Sequence, residues 1–371
     1  MDLFRFTSPH NQPLRGGKLI LPSSSVTWVE RYREAGEVKI VAGIDSGLRE
    51  QLPVGTLVSH TDTKEVMKIE DHGIEDDGDN EPVITITGRS LEAPILENRA
   101  AGSNIEFPTA EVPVEYIIPA WKTSTQAVSI IMRHIGEDYL IDSHDVIPYL
   151  TAVDGTTGDL TEEKRKIAAG PVYDRLLEIL AVDKLGIKVE RPGPGETDTL
   201  FIIHKGVDRS SSVVMSVERG DVARASYLQS DKKLKNCAHI VGKWVQTRLV
   251  DTTVNGADRR WITVDAKDID DAQESVPHGD ARAWIVSAML ARAREQLGKY
   301  NRIELSSAEA APDSVNAIFR KHYDVGDIVM VSGGYGSVTK MRVTEYAEVQ
   351  DENGFSGQPT LKSLEGEDET P

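Results

Sequence analysis

The sequence predicts a β-rich α+β fold in three parts: a β domain over residues 1–118, an α+β domain over 119–230, and a second β-rich domain over 231–371 that carries one long helix. Three observations predict it. Up to residue 118 the apolar residues fall in short alternating or β-branched runs bounded by Gly, Pro, Asp and Asn. From Thr123 the apolar period lengthens to that of a helix, and beyond Leu297 the runs become short again.

In the first part, strands are expected over 26–32, 37–41, 56–59, 65–70 and 83–87. Arg33-Glu34-Ala35-Gly36 reads as the turn of a hairpin, with Gly36 supplying a positive φ. A second turn is expected at Asp76-Asp77-Gly78-Asp79-Asn80, where short polar side chains close local backbone bonds. In the second part Val128, Ile131, Met132 and Ile135 share one helix face, capped by Ser124 or Thr125 and stopped by Gly136. Another helix opens at Gly170-Pro171 and carries Tyr173, Leu176, Leu177 and Leu180. It ends at Gly186, before a strand containing Ile187 and Val189. Arg191-Pro192-Gly193-Pro194-Gly195 is a sharp loop, and 200–204 returns as a strand. In the third part strands are expected over 238–245, 261–264, 328–331 and 340–346. The longest helix opens at Asp280 and covers 281–297, with Ile285, Met289, Ala293 and Leu297 forming a packing stripe. Glu365-Gly366-Glu367-Asp368-Glu369 has no apolar anchor and reads as a mobile tail.

Composition narrows the function. With 39% hydrophobic and 27% charged residues the chain is globular in type, and no apolar run approaches the length of a bilayer span. Met1-Asp2-Leu3-Phe4-Arg5-Phe6 lacks the basic region and apolar core of a leader, so assembly in the cytoplasm is expected. A net charge of −18, from 60 acids against 42 bases, disfavours a grip on nucleic-acid phosphates. Lys164-Arg165-Lys166 reads as a compensated helix or loop surface after Glu162-Glu163, and Lys232-Lys233-Leu234-Lys235 as a solvated face. Cys237, the one cysteine, reads as a small core residue.

No chemical constellation emerges. The acidic stretch from Glu75 to Glu81 lacks the spacing of a helix-loop-helix calcium site and reads as a solvated turn. His134, His144, His204, His239 and His278 form no zinc-ligand pair, and Ser210-Ser211-Ser212 has no nucleophile elbow. Gly333-Gly334-Tyr335-Gly336 lacks the Lys and Ser/Thr of a phosphate loop and reads as a β-turn. The expectation is therefore a non-enzymatic chain with no catalytic, cofactor-binding or metal-binding residues.

The segments Val26-Thr27-Trp28-Val29-Glu30-Arg31-Tyr32-Arg33-Glu34-Ala35-Gly36-Glu37, Leu52-Pro53-Val54-Gly55-Thr56-Leu57-Val58, Glu65-Val66-Met67-Lys68-Ile69-Glu70 and Ile86-Thr87-Gly88-Arg89-Ser90-Leu91-Glu92 follow one another in a recognisable order. Val172-Tyr173-Asp174-Arg175-Leu176-Leu177, Tyr323-Asp324-Val325-Gly326-Asp327-Ile328-Val329 and Arg342-Val343-Thr344-Glu345 continue it. Their order resembles the tail-tip baseplate hub proteins of siphophages, of the actinobacteriophage type. Those are related to contractile-tail hubs and to the N-terminal part of tail-associated lysins.

The resemblance implies β-barrel-like tube domains with an inserted small α+β unit, and a homotrimeric ring that closes the tail tube at the virion tail tip. It also implies contacts with the distal tail protein ring, the tape-measure protein C-terminus, and a central tail fibre or receptor-binding assembly. Genome DNA would pass through the lumen without stable binding, and the chain itself would not insert in a membrane. Lumen surfaces are then expected to be neutral or acidic, with Asp76, Asp77, Asp79, Glu81, Asp268, Asp270 and Asp271 as contributors. No room is expected after residue 350 for a peptidoglycan-cleaving domain. Two alternatives are a tail-tip peptidoglycan hydrolase using Asp268, Asp270 or Asp271, and a carbohydrate-binding adhesin module using Trp28, Trp121, Trp244, Trp261 or Trp284.

Overall fold

A computed structural model describes residues 1–6, 17–20, 25–75, 81–101, 116–136, 143–243, 245–267, 269, 281–298, 300, 303–311, 314, 316–334 and 337–364. The expected turn at Asp76–Asn80, the acids Asp268, Asp270 and Asp271, His278, Trp244, the pair Tyr335-Gly336 and the tail from Glu365 lie outside the described residues, as does the Trp284 side chain. The chain forms two compact units, one of Met1–Ala225 with Ala308–Lys362, the other built on Ser226–Ser307.

After two short strands, Leu3–Phe6 and Lys18–Leu19, the first unit continues with β1 (Ser25–Arg31), β2 (Glu37–Gly43), β3 (Leu57–His60), β4 (Met67–Glu75) and β5 (Val83–Ser90). Alternation decides which side chains turn inward. Val38, Ile40 and Ala42 of β2 face the same core as Ile84 and Ile86 of β5, and Trp28 of β1 is fully buried among them. That burial makes Trp28 a core anchor rather than a stacking platform. β1 and β2 form the predicted hairpin, with Val29 opposite Glu37. Gly36 departs from expectation, because it is absent from the positive-φ glycines. It is required instead by close approach: a Cβ there would collide with the Val29 carbonyl oxygen.

A helical turn α1 (Glu92–Leu96) leads on to the α+β part. This contains α2 (Thr123–Ile135), β6 (Leu150–Asp154), α3 (Val172–Val182), β7 (Gly186–Glu190) and β8 (Thr199–His204). The strands lie in the order β6–β8–β7, with β6 and β8 parallel. The helices bury Ile130, Ile131, Leu176 and Leu180 in the core that also holds Phe201 and Ile203. α2 stops at Gly136 as expected, but Ser124 does not cap it; its hydroxyl donates to the Asp154 carboxylate at 2.6 Å. α3 ends at Asp183-Lys184, where Lys184 takes φ 56°, so Gly186 opens the next strand rather than closing the helix. The free edge of β7 is fastened to the larger sheet, since Ile187 N–H donates to Tyr32 O and Val66 N–H to Val189 O. Lys164-Arg165-Lys166 corrects a further expectation. It runs as strand Glu162–Ile167 against Tyr116–Lys122, because Ile167 is drawn into the core and Arg165 Nε donates to Gln126 at 2.7 Å.

The second unit holds β9 (Cys237–Gly242), β10 (Gln246–Val250), β11 (Trp261–Ala266) and α4 (Ala281–Gly298). β9 is central, antiparallel to β10 and parallel to β11. Met289 and Ala293 of α4 pack on Ala238, Ile240, Val264 and Ala266, which is the predicted helix stripe at work. Cys237 is buried with a free thiol. No helix among the described residues is long and apolar enough to cross a membrane.

The chain then returns to the first unit with β12 (Ile328–Gly334), β13 (Ser337–Asp351) and β14 (Gly354–Ser363). β12 and β13 form a hairpin in which Gly334 faces Ser337, so the glycine-rich segment joins two strands. β13 pairs with β1 from Glu345 opposite Arg31 to Gln350 opposite Val26. The path β14–β13–β1–β2–β5–β4–β3 therefore joins the end of the chain to its beginning, and it does not close into a barrel. The fold is β-rich α+β, as the sequence predicts.

Candidate functional site

The most concentrated arrangement of buried charge in the first unit forms where β13 meets β1. Glu30 lies in the inward row of β1 with Val26 and Trp28 and is buried there, and Glu348 of β13 is buried opposite Trp28. Two ionised carboxylates in such a place require a cation. Arg320 provides it from the loop before β12: its guanidinium bonds Glu348 at 2.8 and 3.0 Å and Glu30 at 2.8 Å. Burial alone would lower the Arg320 pKa, but the fields and hydrogen bonds of Glu30 and Glu348 outweigh it and hold the guanidinium charged. Burial likewise pushes Glu348 up, and the bonds from His60 and Arg320 reverse this and bring it below its ordinary value.

Arg320 itself adopts φ 59°, a left-handed conformation unfavourable to a residue with a Cβ. The loop is held there by Arg320 N–H to Tyr323 O and by His322 N–H to Ile318 O, both at 2.8 Å. His60 on β3 completes the group. Asp62 N–H donates to its Nδ1 at 3.3 Å, which assigns the proton to Nε2, and Nε2 lies 3.2 Å from Glu348. Its ring meets Trp28 edge-on at 4.8 Å.

Arg320 and Asp62 line two clefts, of about 590 and about 380 Å³. Aromatic rings wall the larger: Phe319 stacks on Tyr346 at 3.7 Å, with Tyr323 beside them at 5.8 Å from Phe319. Charged groups rim the smaller, including Lys188 paired to Glu190 at 2.7 Å. His204 also lines it, pushed down to about 3 by burial and by Lys188 and Arg342, and is therefore a neutral ring. Each carboxylate of the Arg320 group is engaged by a cation, so the arrangement is built to hold strands together. Among the described residues no cluster of His, Cys, Asp and Glu could hold a metal ion.

A further buried acid lies on another element. Glu92 at the start of α1 accepts the Ser90 hydroxyl, and Ser90 Oγ accepts Gly36 N–H at 2.7 Å. Burial, only partly offset by the Ser90 bond, pushes Glu92 up to about 7 from 4.5. Glu65 is also raised well above its ordinary value, by burial and then by Glu30 and Glu92. A carboxyl whose folded pKa is raised contributes stability that is complete below its unfolded value and lost as pH rises through its folded value. The Glu92 shift from 4.5 to about 7 is worth about 3 kcal/mol over that window. The urea midpoint is therefore expected to fall between about pH 5 and pH 8, and Glu92→Gln is expected to flatten the fall. An unchanged slope in that variant would assign the pH dependence elsewhere.

The residues singled out from sequence do not gather here. Ser210–Ser212 is a turn, with Ser212 N–H bonded to Arg209 O, and His134 is a buried helix residue bonded to Ile130 O. Asp76, Asp77, Asp79, Asp268, Asp270 and Asp271 lie outside the described residues. Arg320, Glu30, His60, Glu348 and Glu92 were not legible as a group. The available signal was an acid inside an apolar run, as in Trp28-Val29-Glu30 and Leu91-Glu92-Ala93.

The model of the siphovirus ReqiPepy6 Gp37-like protein family matches residues 12–361. No curated protein matches the sequence. Among solved structures, the 43 kDa tail protein of prophage MuSo2 from Shewanella oneidensis is similar with a TM-score of 0.58 at 10% identity, covering 100% of both chains. The tail protein from Neisseria meningitidis MC58 is similar with a TM-score of 0.56 at 13% identity, covering 98% of this chain and 96% of that one. The prophage tail protein gp18 from Listeria monocytogenes EGD-e reaches 0.50 at 10% identity, covering 98% and 94%. At these identities the likeness is one of fold.

Proposed function

The chain belongs to the siphovirus ReqiPepy6 Gp37-like protein family and is a phage tail protein, and from that premise we propose that it is a non-enzymatic structural subunit of the tail tip. In this reading three copies form the hub ring that closes the tail tube. The ring links the distal tail protein to the central fibre or receptor-binding assembly and receives the tape-measure C-terminus. Assembly takes place in the host cytoplasm. The observation that carries the proposal is the end-to-end likeness to phage tail proteins, which spans both partners almost completely. The Arg320 group is consistent with a structural role, because its buried ion pairs lock β1 to β13.

Closed rotational symmetry is the normal outcome for such a ring, and a net charge of −18 suits a lumen that releases DNA. The purified protein is expected to measure as a trimer in solution or on the tail, and to leave duplex DNA unretarded near physiological salt. A monomer in solution with six copies in the assembled tip would overturn the trimer. Tight, salt-sensitive DNA binding would overturn the lumen reading.

A further inference from the structure

Two asparagines of the chain are followed by glycine, in Asn255-Gly256 and Asn353-Gly354, and both pairs are exposed. Such a pair carries its own reactant. With no Cβ on the glycine, its backbone nitrogen can approach the side-chain amide carbon of the asparagine before it. The structure holds the two pairs differently, and that difference decides which of them reacts.

Asn353 lies in the tight turn between β13 and β14. Asp351 holds it at two points: Asn353 N–H donates to Asp351 Oδ1 at 2.7 Å, and Asn353 Nδ2 donates to Oδ2 at 3.4 Å. Swinging the amide carbon toward the Gly354 nitrogen pulls both away from Asp351. Asn255 lies between β10 and β11, just before the 3-10 turn Gly256–Asp258. Its backbone is extended, with φ −133° and ψ 161°, and among the described residues its side-chain amide makes no hydrogen bond. Rotation about its Cα–C bond releases a single backbone bond, Asp258 N–H to Asn255 O at 3.1 Å. Gly256 is free to follow, since nothing lies within 4 Å of a Cβ built on it.

We propose that Asn255 is a site of spontaneous deamidation in the folded protein, and that Asp351 protects Asn353 from the same reaction. The Gly256 nitrogen loses its proton to hydroxide and bonds to Asn255 Cγ. The bond from Cγ to the amide nitrogen then breaks, that nitrogen leaves as ammonia, and a succinimide remains. Water opens the succinimide at either carbonyl, giving aspartate or isoaspartate, in which the main chain runs through Cβ. One water is consumed and one ammonia released, and no oxidant is needed. Closure dislodges the Asn255 carbonyl from Asp258, and the product adds a negative charge to a loop that already carries Asp251 and Asp258. The proposal is independent of the hub-ring reading, since it concerns the purified full chain in solution.

The test is peptide mapping by mass spectrometry during incubation of the full chain at mildly alkaline pH, with isoaspartate scored by labelling with a protein isoaspartate methyltransferase. Conversion at Asn255 is expected to run about tenfold ahead of Asn353, because one net hydrogen bond that must be released slows a step by about that factor. In denaturing urea the two rates are expected to converge, and this comparison needs no variant. Asp351→Ala is expected to raise the Asn353 rate about tenfold, with a melting curve to show that the variant is folded. Conversion at Asn255 in urea but not in the folded chain overturns the proposal. So do equal rates at the two sites of the folded chain, and so does an unchanged Asn353 rate in folded Asp351→Ala.

Discussion

Arg320→Met is expected to lower the stability of the first unit by about 3–5 kcal/mol, because it leaves two buried carboxylates without their cation. Glu30 and Glu348 are 7% and 4% exposed, so neither can turn to water without opening the sheet between β1 and β13. The backbone offers a comparison of magnitudes. Arg320 sits at φ 59°, and Arg320→Gly would relieve strain of about 1–2 kcal/mol. That is smaller than the loss of the ion pairs, so Arg320→Gly is also expected to destabilise.

The triple variant Arg320→Met, Glu30→Gln, Glu348→Gln removes all three charges together and is expected to recover a large part of the loss. Acidification should rescue Arg320→Met alone in the same way. Without the guanidinium, burial raises Glu348 and protonation neutralises it as pH falls. Urea midpoints of the three proteins at neutral and mildly acidic pH check this. Equal midpoints for Arg320→Met and the unsubstituted protein would show that the ion pairs contribute nothing net.

Gly36→Val is expected to destabilise by about 3 kcal/mol or more, by overpacking at a backbone contact. The new Cβ would collide with the Val29 carbonyl oxygen and meet Met67 Cε at 3.1 Å and Glu65 at 3.2 Å. The side-chain contacts can yield, but the carbonyl belongs to β1 and moves only with the hairpin. Gly36 is also fixed from the other side, since its carbonyl accepts Ser90 N–H at 3.0 Å while its N–H reaches Ser90 Oγ. Gly43 is the matched control. It has φ −60°, and nothing lies within 4 Å of its would-be Cβ. Gly43→Ala should therefore be neutral or stabilise by about 0.4–1 kcal/mol through the unfolded chain. Thermal melts of the two variants that coincide would contradict the close-approach account.

The sequence by itself determined the local elements. Period-two alternation in Val38, Ile40 and Ala42 marked β2, and the four-residue recurrence of Met289 and Ala293 marked α4, because side-chain direction repeats within a strand or helix without reference to anything distant. It also marked Gly36 as special while assigning the wrong cause, since the obstacle is a carbonyl of the partner strand. Only the tertiary structure decided that β13 lies against β1, that Glu30 finds Arg320, and that Trp28 is core while Trp261 is exposed. Pairing of this kind joins residues some three hundred positions apart, and no periodicity encodes the partner. It is fixed by the burial of charge and apolar surface that becomes favourable only once the ends of the chain have met.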